Sequence, residues 1–138
     1  MDVQEVSKLD AYLKKLFANS RLRVVPKKAD AADVVVGEER IGHLTVDDED
    51  EERSYNLEIK ITMGEAPSVK NLKTLEAYLR RKFDNERIRV VARPRKNDSA
   101  EVYVGEEYIG VLFFDEKEVR SCYFEMAILA LDLEDVGR

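Results

Sequence analysis

The stretch Val102-Tyr-Val-Gly-Glu-Glu-Tyr-Ile-Gly-Val-Leu-Phe-Phe114 has an imperfect copy earlier in the chain, Val34-Val-Val-Gly-Glu-Glu-Arg-Ile-Gly-His-Leu-Thr-Val46. Each reads as two β-strands joined by a tight turn at Gly-Glu-Glu, the kind of short glycine-containing loop that closes a hairpin. The repeat extends well beyond the hairpin. Leu9-Asp-Ala-Tyr-Leu13 aligns with Leu75-Glu-Ala-Tyr-Leu79, and Phe17, Asn19, Arg21 and Arg23 align with Phe83, Asn85, Arg87 and Arg89. Ser54 aligns with Ser121 and Glu58 with Glu125. About half of the alignable positions are identical, more than shared periodicity alone produces, so the chain is a tandem duplication.

Each copy has the same order of elements. Val3, Val6, Leu9, Leu13, Leu16 and Phe17 recur three and four apart and predict a helix, with Asp2 as its cap and Asn19 as a left-handed terminator. Arg21 to Pro26 alternates as a short strand, and its proline points to a sheet edge or a strand end. The hairpin follows. Gly42 and Gly110, inside the return strands, signal a bulge or a close backbone approach. Tyr55, Leu57, Ile59, Ile61 and Met63 alternate with polar residues, the pattern of a strand with one wet face. In the second copy Ser68 caps a helix over 69–83, strand 87–91 follows, and a final strand runs from Cys122 to about Asp132.

These patterns predict an α+β fold of two α-β-β-β-β repeats. One antiparallel sheet, or two packed sheets, would carry helices on the apolar face in a pseudo-two-fold arrangement. The first repeat spans 1–63, the linker 64–67 and the second repeat 68–138, packed together as one globule, because a repeat this small buries too little surface alone. Ala127-Ile-Leu-Ala-Leu131 is apolar on both parities, which predicts burial on both faces. With Phe113 and Phe114 it makes the second copy greasier, so that copy is expected to hold most of the core or an oligomer interface.

The charge balance narrows the functional classes. Net charge is −6, so nothing draws the whole molecule to nucleic acid or to an anionic membrane. No apolar run is long enough to span a bilayer, and the N-terminus lacks the layout of a signal peptide. A single cysteine excludes an intrachain disulfide and fits a reducing cytoplasm. One cysteine and one histidine cannot form a His/Cys zinc site, and no cofactor motif is present. His43 and Cys122 have no partners at nucleophile spacing, and Glu38-Glu39 lies on a wet turn where two pKa values are not pushed apart.

Two surfaces remain as candidates. Basic residues cluster at the helix ends and first strands: Arg21, Arg23, Arg80, Arg81, Arg87, Arg89, Arg93, Arg95 and Lys96. Such a face could bind phosphates, with Tyr12, Tyr78, Tyr103 and Tyr108 adding stacking. Charge runs more often solvate, and Arg21/Arg23 and Arg87/Arg89 are expected to bridge to Glu58 and Glu125. The other surface is apolar: Tyr108, Phe113, Phe114 and Leu129.

The blocks Leu75 to Phe83, Arg93-Pro-Arg-Lys96, Asp98 to Gly105 and Ser121 to Leu133 resemble a small alphaproteobacterial family of unknown function whose members are about one unit long. The second copy resembles a full member and the first a diverged one, with Arg40 in place of Tyr108 and His43 in place of Val111. If single-unit members pair, the resemblance implies that this chain is their fused form. It carries no catalytic residue across, because its motifs are fold motifs. The expectation is a cytoplasmic, non-enzymatic protein-interaction or adaptor module that binds a protein partner or forms a homodimer. A nucleic-acid or phospholigand binder is the alternative.

Overall fold

The computed structural model describes residues 1–48, 52–63, 67–114 and 120–134. Residues 49–51 of the acidic run Asp47-Asp-Glu-Asp-Glu-Glu52, 64–66 of the linker, 115–119 and 135–138 lie outside the described residues. The elements are α1 (Val3–Leu16), β1 (Leu22–Lys28), β2 (Ala31–Val36), β3 (Glu39–Asp47) and β4 (Ser54–Thr62). A 3-10 turn (Val69–Asn71) leads into α2 (Leu72–Phe83), β5 (Ile88–Ala92), β6 (Ser99–Val104), β7 (Glu107–Phe114), β8 (Ser121–Leu129) and α3 (Ala130–Glu134). The strands form one eight-stranded sheet in the order β1-β2-β3-β4-β8-β7-β6-β5. The expected α+β class with a continuous antiparallel sheet is what forms.

By packing, the chain divides into two compact units, Met1–Leu57 with Ala127–Arg138, and Glu58–Met126. The division falls inside β4 and inside β8, so the packing units are not the two sequence copies.

In the first unit, Asp2 caps α1 by accepting the Glu5 N–H at 2.7 Å, and Glu5 returns the bond by accepting the Asp2 N–H at 3.1 Å. Leu9, Leu13 and Phe17 are fully buried, whereas Val3 stands at 85% exposure and is not part of the stripe. The left-handed residue that ends the helix is Ala18 (φ +49°), not Asn19. Asn19 is buried and uses its side-chain oxygen to accept the Arg21 N–H at 2.8 Å, which turns the chain into β1. The second unit repeats this with Asp84 (φ +49°) and Asn85, which accepts the Arg87 N–H at 2.8 Å.

Each helix also guards the outer edge of its first strand. Asp10 of α1 accepts the Val24 N–H at 2.9 Å, and Glu76 of α2 accepts the Val90 N–H at 3.0 Å. An outward-facing amide of an edge strand thereby gains a charged acceptor instead of inviting another chain.

The hairpins are tighter than expected. Val36 pairs with Glu39 and Val104 with Glu107, so each connection is two residues, Gly37-Glu38 or Gly105-Glu106. Both glycines have positive φ, +63° and +61°. The β2–β3 ladder slips between Val34 and Val35 and the β6–β7 ladder between Val102 and Tyr103, placing the expected bulges beside Gly42 and Gly110.

The helices pack on the edge strands, α1 on β1 and α2 on β5. Leu22, Val24, Val34 and Leu44 in the first unit, and Ile88, Val90, Val102, Leu112 and Phe124 in the second, form the buried side of the strands. A fully buried side chain of this size contributes about 1.5–3 kcal/mol. Both sequence copies supply comparable buried sets, so the second does not hold most of the core. Its additional apolar residues lie outside. Strand β8 alternates, with Phe124, Met126 and Ile128 buried and Glu125, Ala127 and Leu129 exposed. It also ends at Leu129, and the residues expected to continue it form α3, whose first turn is closed by Asp132 accepting the Leu129 N–H at 2.9 Å. The run is apolar on both parities because a strand's alternation and the first turn of a helix adjoin within it.

Candidate functional site

The arginine pairs close the hairpin turns. Gly37 donates its N–H to the Arg21 carbonyl at 3.1 Å, and Gly105 does the same to Arg87 at 2.8 Å. The Arg21 and Arg87 guanidiniums lie where a Cβ on Gly37 or Gly105 would stand, with 2.4 Å between that position and the nearest nitrogen. The second arginine of each pair binds the glycine carbonyl: Arg23 Nη2 at 3.1 Å and Arg89 Nε at 2.8 Å. The expected bridges to Glu58 and Glu125 do not form. β1 is separated from β4 by two strands and β5 from β8 by two, and neither carboxylate is a cross-strand neighbour of an arginine.

On the side of the second unit's strands opposite α2, the registers set out three rows. Arg89 faces Tyr103, which faces Tyr108. The Arg89 guanidinium lies 5.1 Å from the Tyr103 ring centre, and the two tyrosine rings meet edge-on at 5.7 Å. Val91, Glu101, Val111 and Glu125 form the middle row. Ser99, Phe113 and Tyr123 form the third, where Lys60 Nζ lies 6.0 Å from the Tyr123 ring. Tyr108 is 51% exposed and Phe113 40%. Exposed apolar residues are significant when grouped on one face rather than scattered singly.

Of the expected apolar surface, then, Tyr108 and Phe113 share this face. Phe114 has the other parity, pairing with Cys122 of the buried side. Leu129, 48% exposed, belongs to the first unit. Tyr123 and Val111, which the sequence does not single out, complete the face. The alternation of Tyr123 and Glu125 against Cys122, Phe124 and Met126 was the available signal, masked by reading the following segment as apolar on both sides.

In the second unit the basic residues sit in several separate local settings. Arg80 is tied down, its Nε donating to the Ile88 carbonyl at 2.7 Å and its Nη2 pairing with Glu76 at 3.0 Å. Arg81 lies 5.8 Å from the Tyr78 ring. The depression beside them is also lined by Glu76, Asp84 and Glu86, so its charge is mixed. Arg93 donates to Ser99 Oγ at 3.0 Å. Arg95 and Lys96 are exposed in the turn before β6, Arg95 with φ +61°. Arg87 and Arg89 remain at the edge of the tyrosine row.

In the first unit the side of the strands opposite α1 is more polar and carries fewer aromatics. Arg23 faces Val35, which faces Arg40, and Val25 faces Asp33, which faces His43. Arg40 Nε pairs with Asp33 at 2.8 Å. Cys122 is buried, and burial pushes its thiol up to about 12, which keeps it protonated. Among the described residues no group of three or more His, Cys, Asp or Glu could hold a metal, and no helix is long and apolar enough to cross a membrane.

Fold and surface together define an internally duplicated α+β protein with an exposed aromatic sheet face in its second unit. A family described as a protein of unknown function (DUF3126) matches the chain twice, over residues 5–63 and 71–132, and the chain belongs to that family as two tandem copies. No curated protein and no solved structure matches it.

Proposed function

We propose that this protein is a non-enzymatic protein-interaction module of the bacterial cytoplasm, and that the exposed face of its second unit is the contact surface. One observation carries the reading: Tyr108 and Phe113 stand exposed on the same sheet face, among Tyr103, Val111 and Tyr123. Aromatic anchors ringed by charged residues, here Arg89, Lys60, Glu101 and Glu125, are the composition of a protein contact with a greasy centre and a polar rim. The partner is either a second copy or another protein. The carboxylates in the middle row favour a protein over a polyanion.

The test is size exclusion with light scattering on the protein purified from its own host, with Tyr108→Lys/Phe113→Lys beside the wild type. The wild type is expected to elute as a dimer or with a bound protein, and the double variant alone and folded. A wild type that stays monomeric and unaccompanied, or a complex that survives both substitutions, would overturn the reading.

A nucleic-acid reading rests on a different observation, the Arg89–Tyr103–Tyr108 row, in which a cation and two rings cross three strands of one face. It predicts binding of single-stranded nucleic acid that weakens steeply with salt and is lost in Arg89→Ala. Binding that ignores salt would remove it.

A further inference from the structure

We infer that the first unit carries an anion site, a groove built for the phosphate group of a small ligand. The groove is lined by Lys27, Lys28, Arg40 and His43 around a single carboxylate, Asp33. Its shape comes from a fault in the ladder. The β1–β2 register slips between Pro26 and Lys28, and Lys27 falls outside the pairing. A bulge at an edge strand bends the chain away from its neighbour and leaves a depression beside β2. Arg40 and His43 reach the same place from β3, because Asp33 faces His43 in the ladder and Arg40 crosses to bind Asp33 at 2.8 Å.

The charges act on one another there. The Arg40 hydrogen bond holds the Asp33 carboxyl below its usual range, and the charges of Lys27 and His43 add to the effect. Three cations, Lys27, Lys28 and Arg40, stand against the one carboxylate, Asp33, so the groove is basic. The ligand chemistry follows from the donor types. A planar guanidinium and two ammonium groups lining one groove suit a tetrahedral oxyanion with several charged oxygens.

The second copy gives an internal comparison. Its residues at the positions of Arg40 and His43 are Tyr108 and Val111, members of the apolar face. Two departures between the copies thus fall in one groove. The site lies apart from the surface in the proposed function and does not depend on that reading.

The test is titration of the full, isotope-labelled chain with inorganic phosphate and, separately, a nucleoside diphosphate, at ionic strength held constant with sodium chloride. Amide resonances of Lys28, Ala31, Asp33, Arg40 and His43 are expected to shift saturably with at least one probe. Saturation by the nucleoside diphosphate alone would identify a phosphate carried on a larger molecule. Saturation by both would identify the bare anion as sufficient. Arg40→Tyr/His43→Val, which installs the second copy's own residues, and Lys27→Ala/Lys28→Ala should each weaken binding about tenfold or more. Shifts that chloride reproduces, no saturation with either probe, or unchanged affinity in both variants would overturn the site.

Discussion

Gly110 shows how much a single residue decides. A Cβ there would stand 2.4 Å from the Glu125 carbonyl oxygen and 2.7 Å from the Phe124 ring, both in the neighbouring strand β8. The carbonyl cannot withdraw without opening the β7–β8 ladder, and the Phe124 ring is fully buried with little room to turn aside. Gly110→Ala should therefore destabilise the protein by about 3 kcal/mol, at the upper end of overpacking costs. Gly105→Ala should cost only about 1 kcal/mol. There the backbone is left-handed, but the obstruction is the Arg87 guanidinium, the far end of a flexible side chain. Denaturant midpoints of the two variants give the comparison, and equal losses would contradict it. Both glycines are conspicuous in the sequence. Only the backbone separates the one that turns the chain from the one that admits a neighbour.

The elements are held by carboxylates with more than one role. Glu5 closes the capping box of α1 and also binds Arg53 Nε at 2.5 Å and the Tyr55 hydroxyl, joining the helix to β4. Burial opposes its charge. The hydrogen bonds from Tyr55, the Asp2 amide and Arg53 together outweigh burial and lower the carboxyl from an ordinary 4.5 to about 2. The group is depressed in the folded state, so its stabilisation is fully present above pH 4.5 and is lost as pH falls toward 2. Glu5→Gln should lower stability near neutral pH by about 1–2 kcal/mol, the scale of charged hydrogen bonds, and should differ little from wild type near pH 2. Urea denaturation at pH 7, 4 and 2.5 checks this, and a pH-independent gap would refute it.

Glu76 does comparable work in the second unit, and Glu76→Ala should cost about 1–2 kcal/mol by stranding the Val90 amide. Thermal melting measures that loss, and an unchanged melting temperature would show that the amide finds water instead. The sequence announced both helices, Asp2 as a cap and the strands after them. It did not show that Asp10 and Glu76 cover strand edges, because a carboxylate on a helix face looks the same whether it meets water or an amide fourteen residues away. The end of β8 is hidden in the sequence for a related reason. Ala, Leu and Ile suit strand and helix alike, and the Asp132 side chain that starts α3 is a local contact no period reveals.

At the scale of the whole molecule, repetition and compactness part company. The family matches follow the sequence copies, 5–63 and 71–132, while the compact units exchange the ends of β4 and β8. Residues 58–62 pack with the second unit although they belong to the first copy, and they include the buried Ile59 and Ile61. A fragment 58–126 should therefore melt at a higher temperature than a fragment 68–138. Two buried isoleucines at about 1.5–3 kcal/mol each are a large share of the stability of so small a unit. Circular dichroism melts of the two fragments decide it, and a more stable 68–138 would mean that the sequence copy is the folding unit.

The sequence alone determined the duplication, the order of elements, the bulged hairpins and the edge position of the proline strand. These are local matters, set by period, turn chemistry and the limits on glycine and proline backbones. Tertiary structure decided the rest: that the arginine pairs close turns, that Tyr108, Phe113 and Tyr123 share a face while Phe114 does not, and that Arg40 and His43 meet Lys27 and Lys28 in one groove. Those outcomes depend on strand order and register, which fix the neighbours of each side chain across the sheet, and a single bulge is enough to change them.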